Sequence, residues 1–231
     1  MIWPFTRTHP PTLDAARSAR RDALRKQAVD LKRPLADLRW VVVDVETGGL
    51  DAARDPLLAI GAVAIEQGRI VFAPSLEIGL RQAHSTAPSN ILIHGISGTE
   101  QRAGQAPHAA LLDWLEFAQG SPRVAFHAAF DQAVLQREVR AQLGLSLQAP
   151  WFDAAVIASL FFPEAARRCR QLDDWLAHFG IAVYARHGAL ADAYATAELW
   201  LVLLAAARRE NIATAHQLQK LARARRWLPA H

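Results

Sequence analysis

The chain has 231 residues, a net charge of +4, 52% apolar and 21% charged residues, the balance of a folded domain with a sizeable core. Its one cysteine, Cys169, excludes a disulfide framework and a cysteine-based zinc ribbon. The start MIWPFTRTHPP lacks the apolar stretch of a signal peptide, and the longest apolar run, Leu199–Ala207, is nine residues against the roughly 20 of a bilayer span. No membrane contact is expected, and the setting is expected to be reducing and cytoplasmic.

Charge is unevenly placed: residues 1–39 carry +5, residues 40–207 carry −6 and residues 208–231 carry +5. A basic fringe around an acidic centre fits a polyanion held near bound cations. Two solvated, arginine-rich helices give the same pattern.

Residues 13–33 mix Ala, Leu, Arg and Lys without Gly or Pro and read as a helix closed by Pro34. Trp40–Val45 is apolar on both faces until Asp44, the mark of a strand central in a sheet. Leu57–Ile65 and Ile70–Leu76, separated by Glu66-Gln67-Gly68-Arg69, read as a hairpin. Residues 81–104 read as loop with one short helix. Pro107–Gln119 is a helix with Ala110, Leu111, Trp114 and Leu115 on one stripe. Arg123–Phe126 is a short strand and Ala128–Leu143 a helix closed by Gly144. Trp151–Phe162, Gln171–Phe179, Ala189–Arg209 and Asn211–Leu228 read as further helices. Strands first, then strands mixed with helices, predict an α/β fold with a mixed sheet.

Asp44 and Glu46 end the central strand. Residues i and i+2 of a strand share a face about 6.6 Å apart, so these carboxylates converge where the sheet opens. Like charges so close call for a cation, and oxygen ligands select a hard one such as Mg²⁺ or Mn²⁺. A solvated turn reads the same way. Asp131 falls in the first turns of the next helix, as a further acid for the site or as an acid placed by the helix dipole. His187 and Asp192, five residues apart, lie about 140° apart on a regular helix and share no face. His187 is therefore placed in a loop, Gly188 at the pivot and Asp192 in the opening turns of the helix.

The order D-x-E, F-D, H-x4-D resembles that of the DEDD-type 3′→5′ exonucleases of the histidine subgroup, which include the proofreading epsilon subunit of bacterial DNA polymerase III, ribonuclease T and oligoribonuclease. The matches are VVVDVETGGL at Val41–Leu50, then Val124, Ala125, Ala128, Phe130 and Asp131, then His187, Ala189, Asp192, Ala193 and Thr196. The segment IHGIS, Ile93–Ser97, resembles a family stretch between the first two motifs. Phe126-His127 departs from the family's usual His-Asn, and Gly188 stands where the tyrosine subgroup has its tyrosine.

The resemblance implies a ribonuclease-H-like fold, a mixed five-stranded sheet flanked by helices. The chain thus divides into a basic helical appendage over 1–35, an exonuclease domain over 36–207 that carries the resemblance, and a basic helix over 208–231 packed on or extending it. The resemblance implies that Asp44, Glu46, Asp131 and Asp192 bind two divalent ions, Mg²⁺ or Mn²⁺, that His187 is the general base, and that nucleoside 5′-monophosphates leave single-stranded 3′ ends. DNA is the leading substrate, and RNA or short oligoribonucleotides the rival. Thr47, Gly48 and Leu50 border the terminal nucleotide, with His94 and His127 as further substrate contacts. The glycines at 48 and 49 either admit the substrate backbone or make a plain tight turn. One of the seven tryptophans is a candidate for base stacking. A polymerase partner is possible, docked on the stripe Ile212, Ala215, Leu218 and Leu221.

Overall fold

The computed structural model describes residues 12–24, 28–87, 90–92, 95–183 and 188–225. β1 (Trp40–Thr47) buries Trp40 and Val42 on one face and Val41, Val43 and Val45 on the other, as a central strand must. β2 (Leu57–Glu66) and β3 (Arg69–Gly79) form the expected hairpin, and β2 also lies antiparallel along β1. Gln67 and Gly68, at φ of 51° and 71°, make a two-residue turn whose twist matches the strands. On its other side β1 runs parallel to β4 (Arg123–Ala125), which pairs with β5 (Trp151–Asp153). The result is a mixed five-stranded sheet of order β3-β2-β1-β4-β5, flanked by helices as the sequence predicts.

Ahead of the sheet lies α1 (Ala15–Leu24), and β3 leads into α2 (Gly98–Ala103) and α3 (Pro107–Phe117). After β4 comes α4 (Ala129–Leu143), ended by Gly144 in the left-handed region. α3 and α4 cover the face of Val41, Val43 and Val45. After β5 follow α5 (Ala154–Phe161), α6 (Pro163–Ala166), α7 (Leu172–Phe179), α8 (Ala189–Arg209) and α9 (Ala215–Arg225). These helices bury the other face, where Trp40, Phe152 and Trp200 meet with ring centroids 5.1–6.1 Å apart.

Three elements differ from expectation. Trp151–Asp153 is a strand, not the start of a helix: it pairs with β4, and the Asp153 carboxylate then caps α5 by accepting from the amides of Ala155 and Val156. α1 is described only to Leu24, and residues 28–33 are not helical, because Asp30 turns the chain by accepting from the Lys32 amide at 2.9 Å. α9 begins at Ala215, and its stripe is divided: Ala215 and Leu218 are buried in the core and Ile212 packs against it, while Leu221 is exposed. α1 is held to α3 by Arg20, which reaches both Asp113 and Glu116.

α8 is 21 residues long and apolar enough to cross a membrane by length and composition. Its most apolar stretch is half buried, and it packs on β1, β2 and β3. In this fold it is the core helix of the sheet. Its close seat depends on Gly61 of β2, where a Cβ would overlap the backbone carbonyl of Ala189 and the amide of Leu190. Backbone on both sides leaves nothing flexible to give way. Gly61→Ala is therefore expected to lower stability by about 1–3 kcal/mol, and an unchanged urea midpoint would contradict this packing.

Candidate active site

β4 pairs with β1 only at Val41 and Val42, so the last residues of β1 have no parallel neighbour. A crevice at the carboxyl ends of the strands results, the usual ligand position in an open α/β sheet. Asp44 and Glu46 alternate with Val43 and Val45, which face α3 and α4, so both acids point to the side of α8. Asp44 pairs across the sheet with Gly61, the residue on which α8 begins.

α8 supplies the third acid. Gly188 is extended (φ −149°, ψ 134°), and its carbonyl accepts from the Asp192 amide at 2.9 Å, which sets Asp192 in the first turn. The helix N-terminus favours an acid there. One carboxylate oxygen from each of Asp44, Glu46 and Asp192 lies within 4.8 Å of the other two, and all three residues are half-buried. An all-oxygen, acidic donor set of this kind suits a hard divalent cation such as Mg²⁺ or Mn²⁺ and not a soft one.

Asp131 enters from the opposite face, on the first turn of α4, and is buried. Burial raises its pKa to about 8, the charges of Asp153 and Glu46 add to the rise, and hydrogen bonds from the amides of Asp131 and Val45 oppose it. Asp131 thus stands beside Glu46, tied to β1 through the Val45 amide. Asp153 is an acid that sequence reasoning missed. It also accepts from the His127 amide at 3.2 Å. The signal for it was an aspartate immediately before the apolar run AAVIASLF, the position of a helix cap.

The turn after β1 is tied down by the chain itself. Thr47 Oγ1 donates to the Gly49 carbonyl at 2.6 Å, the Gly48 amide donates to the Pro56 carbonyl at 2.9 Å, and Asn90 Nδ2 donates to the Gly48 carbonyl. A Cβ on Gly48 would come within 2.8 Å of Pro56 and Thr86, and one on Gly49 would overlap the Asp55 carboxylate. Close packing within the chain therefore explains both glycines. Leu50 stands out from this turn at 94% exposure. His127 is exposed at φ 58°, its ring against Phe126 and its Nε2 3.3 Å from the Arg170 carbonyl. His94 and His187 lie outside the described residues. Of the tryptophans that are described, Trp40, Trp114, Trp175 and Trp200 are fully buried and serve packing, and Trp151 is half-buried.

Without a cation, the folded protein holds a proton on Asp131 up to about pH 8, whereas an ordinary aspartate loses it near 3.8. Between these values the folded state binds more protons than the unfolded one. The contribution of Asp131 to stability is therefore complete below pH 3.8 and is lost as pH rises through 8. In chelator, Asp131→Asn is expected to melt higher than the parent protein at pH 9, with the difference shrinking towards pH 4. Parallel melting curves across that range would contradict the burial of this acid.

An exonuclease family model, RNase T, matches residues 41–200. The chain is 32% identical over 186 residues to a DNA polymerase III subunit epsilon-like protein of Rhodobacter capsulatus, covering 78% of this chain and 26% of that protein. It is 28% identical over 191 residues to the PolC-type DNA polymerase III of Thermotoga maritima, covering 80% of this chain and 13% of the polymerase. The chain thus spans about a quarter or less of these relatives. Among solved structures, Escherichia coli exonuclease I in complex with a dT13 oligonucleotide aligns at a TM-score of 0.62 and 17% identity, covering 75% of this chain and 42% of that one. Exonuclease X in complex with 5′-overhanging duplex DNA aligns at 0.59 and 20% identity, covering 79% of this chain and 99% of that one. These structures share the fold. The family model runs from β1 through the first half of α8, across all three acids of the cluster, and the chain belongs to the exonuclease family.

Proposed function

We propose that the protein is a 3′→5′ exonuclease that removes nucleoside 5′-monophosphates from the ends of single-stranded DNA. The observation that carries this reading is the convergence of Asp44, Glu46 and Asp192 within 4.8 Å at the open end of the sheet, in a chain of the exonuclease family. Asp44, Glu46 and Asp192 would hold one divalent ion, and Asp131, buried beside Glu46, would serve a second shared with Asp44. Bound ions of this kind polarise the phosphate and offset the charge that develops on the attacking and leaving oxygens.

The remaining work falls to the chain. His187 precedes Gly188, the residue that caps the start of α8, and takes the proton of the attacking water, a role suited to an imidazole of ordinary pKa near 6.5. The turn Thr47–Leu50, braced by Pro56 and Asn90, borders the terminal nucleotide, and exposed Leu50 offers an apolar surface to its base. His94 and His127 are further candidate contacts to the strand. DNA is preferred as substrate because relatives are named as DNA polymerase III proteins and the aligned structures hold DNA. Those relatives also support a place beside a polymerase, in the cytoplasm, with residues 36–207 as the exonuclease domain between the basic terminal segments.

The test uses 5′-end-labelled single strands of DNA and RNA of equal sequence, with Mg²⁺, Mn²⁺ or EDTA. A ladder shortening from the 3′ end, faster on DNA and absent in EDTA, is the expected result. Asp44→Ala is expected to slow it by about 10³-fold, the equivalent of about 4 kcal/mol, while its melting temperature in EDTA does not fall. A faster RNA ladder would reassign the substrate to RNA, and full turnover in the folded Asp44→Ala protein would overturn the site.

A further inference from the structure

The side chain of Leu50 stands in solvent, yet the backbone on both sides of it is held by one residue. The Asp55 carboxylate accepts from the Asp51 amide at 2.8 Å and lies against Gly49, where a Cβ would overlap it. The Asp51 side chain accepts from the Ala53 amide at 2.9 Å. The Asp51 carbonyl accepts from the amides of Arg54 and Asp55 at 3.0 and 2.8 Å. Residues 51–55 are thus a turn closed on itself, between β1 and β2.

Arg137, in the middle of α4, fastens that turn to the domain. Its Nη1 donates to the Ala52 carbonyl, and its Nη2 donates to the Asp55 carbonyl at 2.6 Å. Among the described residues, no other side chain from outside the loop hydrogen-bonds residues 51–55. The carboxylate of Glu138, 2.9 Å away, meets the charge of the guanidinium, whose side chain is only 25% exposed. Two carbonyls three residues apart are spanned by the planar fork of an arginine, and a lysine ammonium lacks that fork. α4 also carries Asp131 in its first turn, six residues or about 9 Å of helix before Arg137. One helix therefore seats both an acid of the site and the turn next to Leu50.

We propose that Arg137 is a positioning residue: acting through Asp55, it holds Leu50 at the edge of the crevice, ready for the terminal base of the strand. This role rests on the exonuclease activity proposed above. A turn released from α4 leaves fewer molecules ready to bind, which weakens binding by that fraction. The acids on β1 and α8 keep their places, so the loss falls on binding and not on the chemical step.

Trypsin is applied to the full chain in EDTA, and the cut after Arg54, a side chain of the turn that is 87% exposed, is followed by mass spectrometry. Arg137→Met keeps the length of the side chain without its donors and is expected to speed that cut by about fivefold or more. On 5′-end-labelled single-stranded DNA it is expected to raise KM about tenfold, with kcat within about twofold of the parent. Leu50→Ala is expected to raise KM by a similar factor, and the double variant no further than either change alone. A role in stability only would leave KM where it is. Arg137→Lys is expected to fall between parent and methionine variant in both readings, and it decides the matter if the methionine variant does not fold. An unchanged cut after Arg54, an unchanged KM, or fully additive effects of the Arg137 and Leu50 changes would each overturn the assignment. A parent protein that leaves DNA intact would instead strike the proposed activity, and the cut after Arg54 would still decide whether Arg137 holds the turn.

Discussion

The contact between Gly61 and the first turn of α8 governs where the acidic groups can be. β1 places Asp44 and Glu46 on the face towards that helix, yet neither can meet Asp192 unless the helix backbone lies directly on the sheet. A glycine at the position paired with Asp44 permits that approach. The same contact seats the rest of α8, whose Leu199, Trp200 and Leu203 fill the core against β1 and β2. Packing and site geometry are therefore one arrangement: burial of α8 drives the approach, and the approach brings Asp192 to the strand acids.

That arrangement carries an electrostatic cost. Two full negative charges at 4.8 Å repel by about 3.5 kcal/mol at an effective dielectric near 20. Three acids in such proximity, with buried Asp131 beside them, form a site whose energy falls when a cation enters. The N-terminus of α8 relieves part of the cost for Asp192, and the amides of Val45 and Asp131 relieve part for Asp131. The proposed hydrolysis of a phosphodiester needs positive charge next to a polyanion, and an acidic cluster of this kind is suited to hold it. The basic terminal segments lie outside this acidic region in sequence, which suits a strand gripped at its phosphates and cut at its end.

Much of this was legible in the sequence because the signals were periodic and long. The apolar run of β1, the Gln67-Gly68 turn and the Ala189–Arg209 helix match their structural bounds closely, since burial on both faces, a tight hairpin and an alanine-rich helix each leave a local mark. Asp44, Glu46, Asp131 and Asp192 were all singled out, and the structure brings the first, second and fourth together. β5 was not legible: Trp151–Asp153 is three residues long, and its extended form comes from pairing with β4 and not from its own composition. The roles of Gly61 and Asp153 were missed for a related reason. A glycine within LLAIGAVAIE marks some close approach, but only the tertiary fold says that a helix start is what approaches. The stripe on α9 was legible only as a pattern: Ala215 and Leu218 turn to the chain's own core while Leu221 is exposed, and an amphipathic face reads the same whether it covers its own core or another protein.

Anomalous diffraction from crystals soaked in Mn²⁺ shows whether Asp44, Glu46 and Asp192 hold a divalent cation. A strong peak within coordination distance of Asp44, Glu46 and Asp192, lost in the Asp192→Asn protein, is expected. No peak at the end of β1 in well-ordered, fully soaked crystals, or a peak that persists unchanged in that variant, would contradict it.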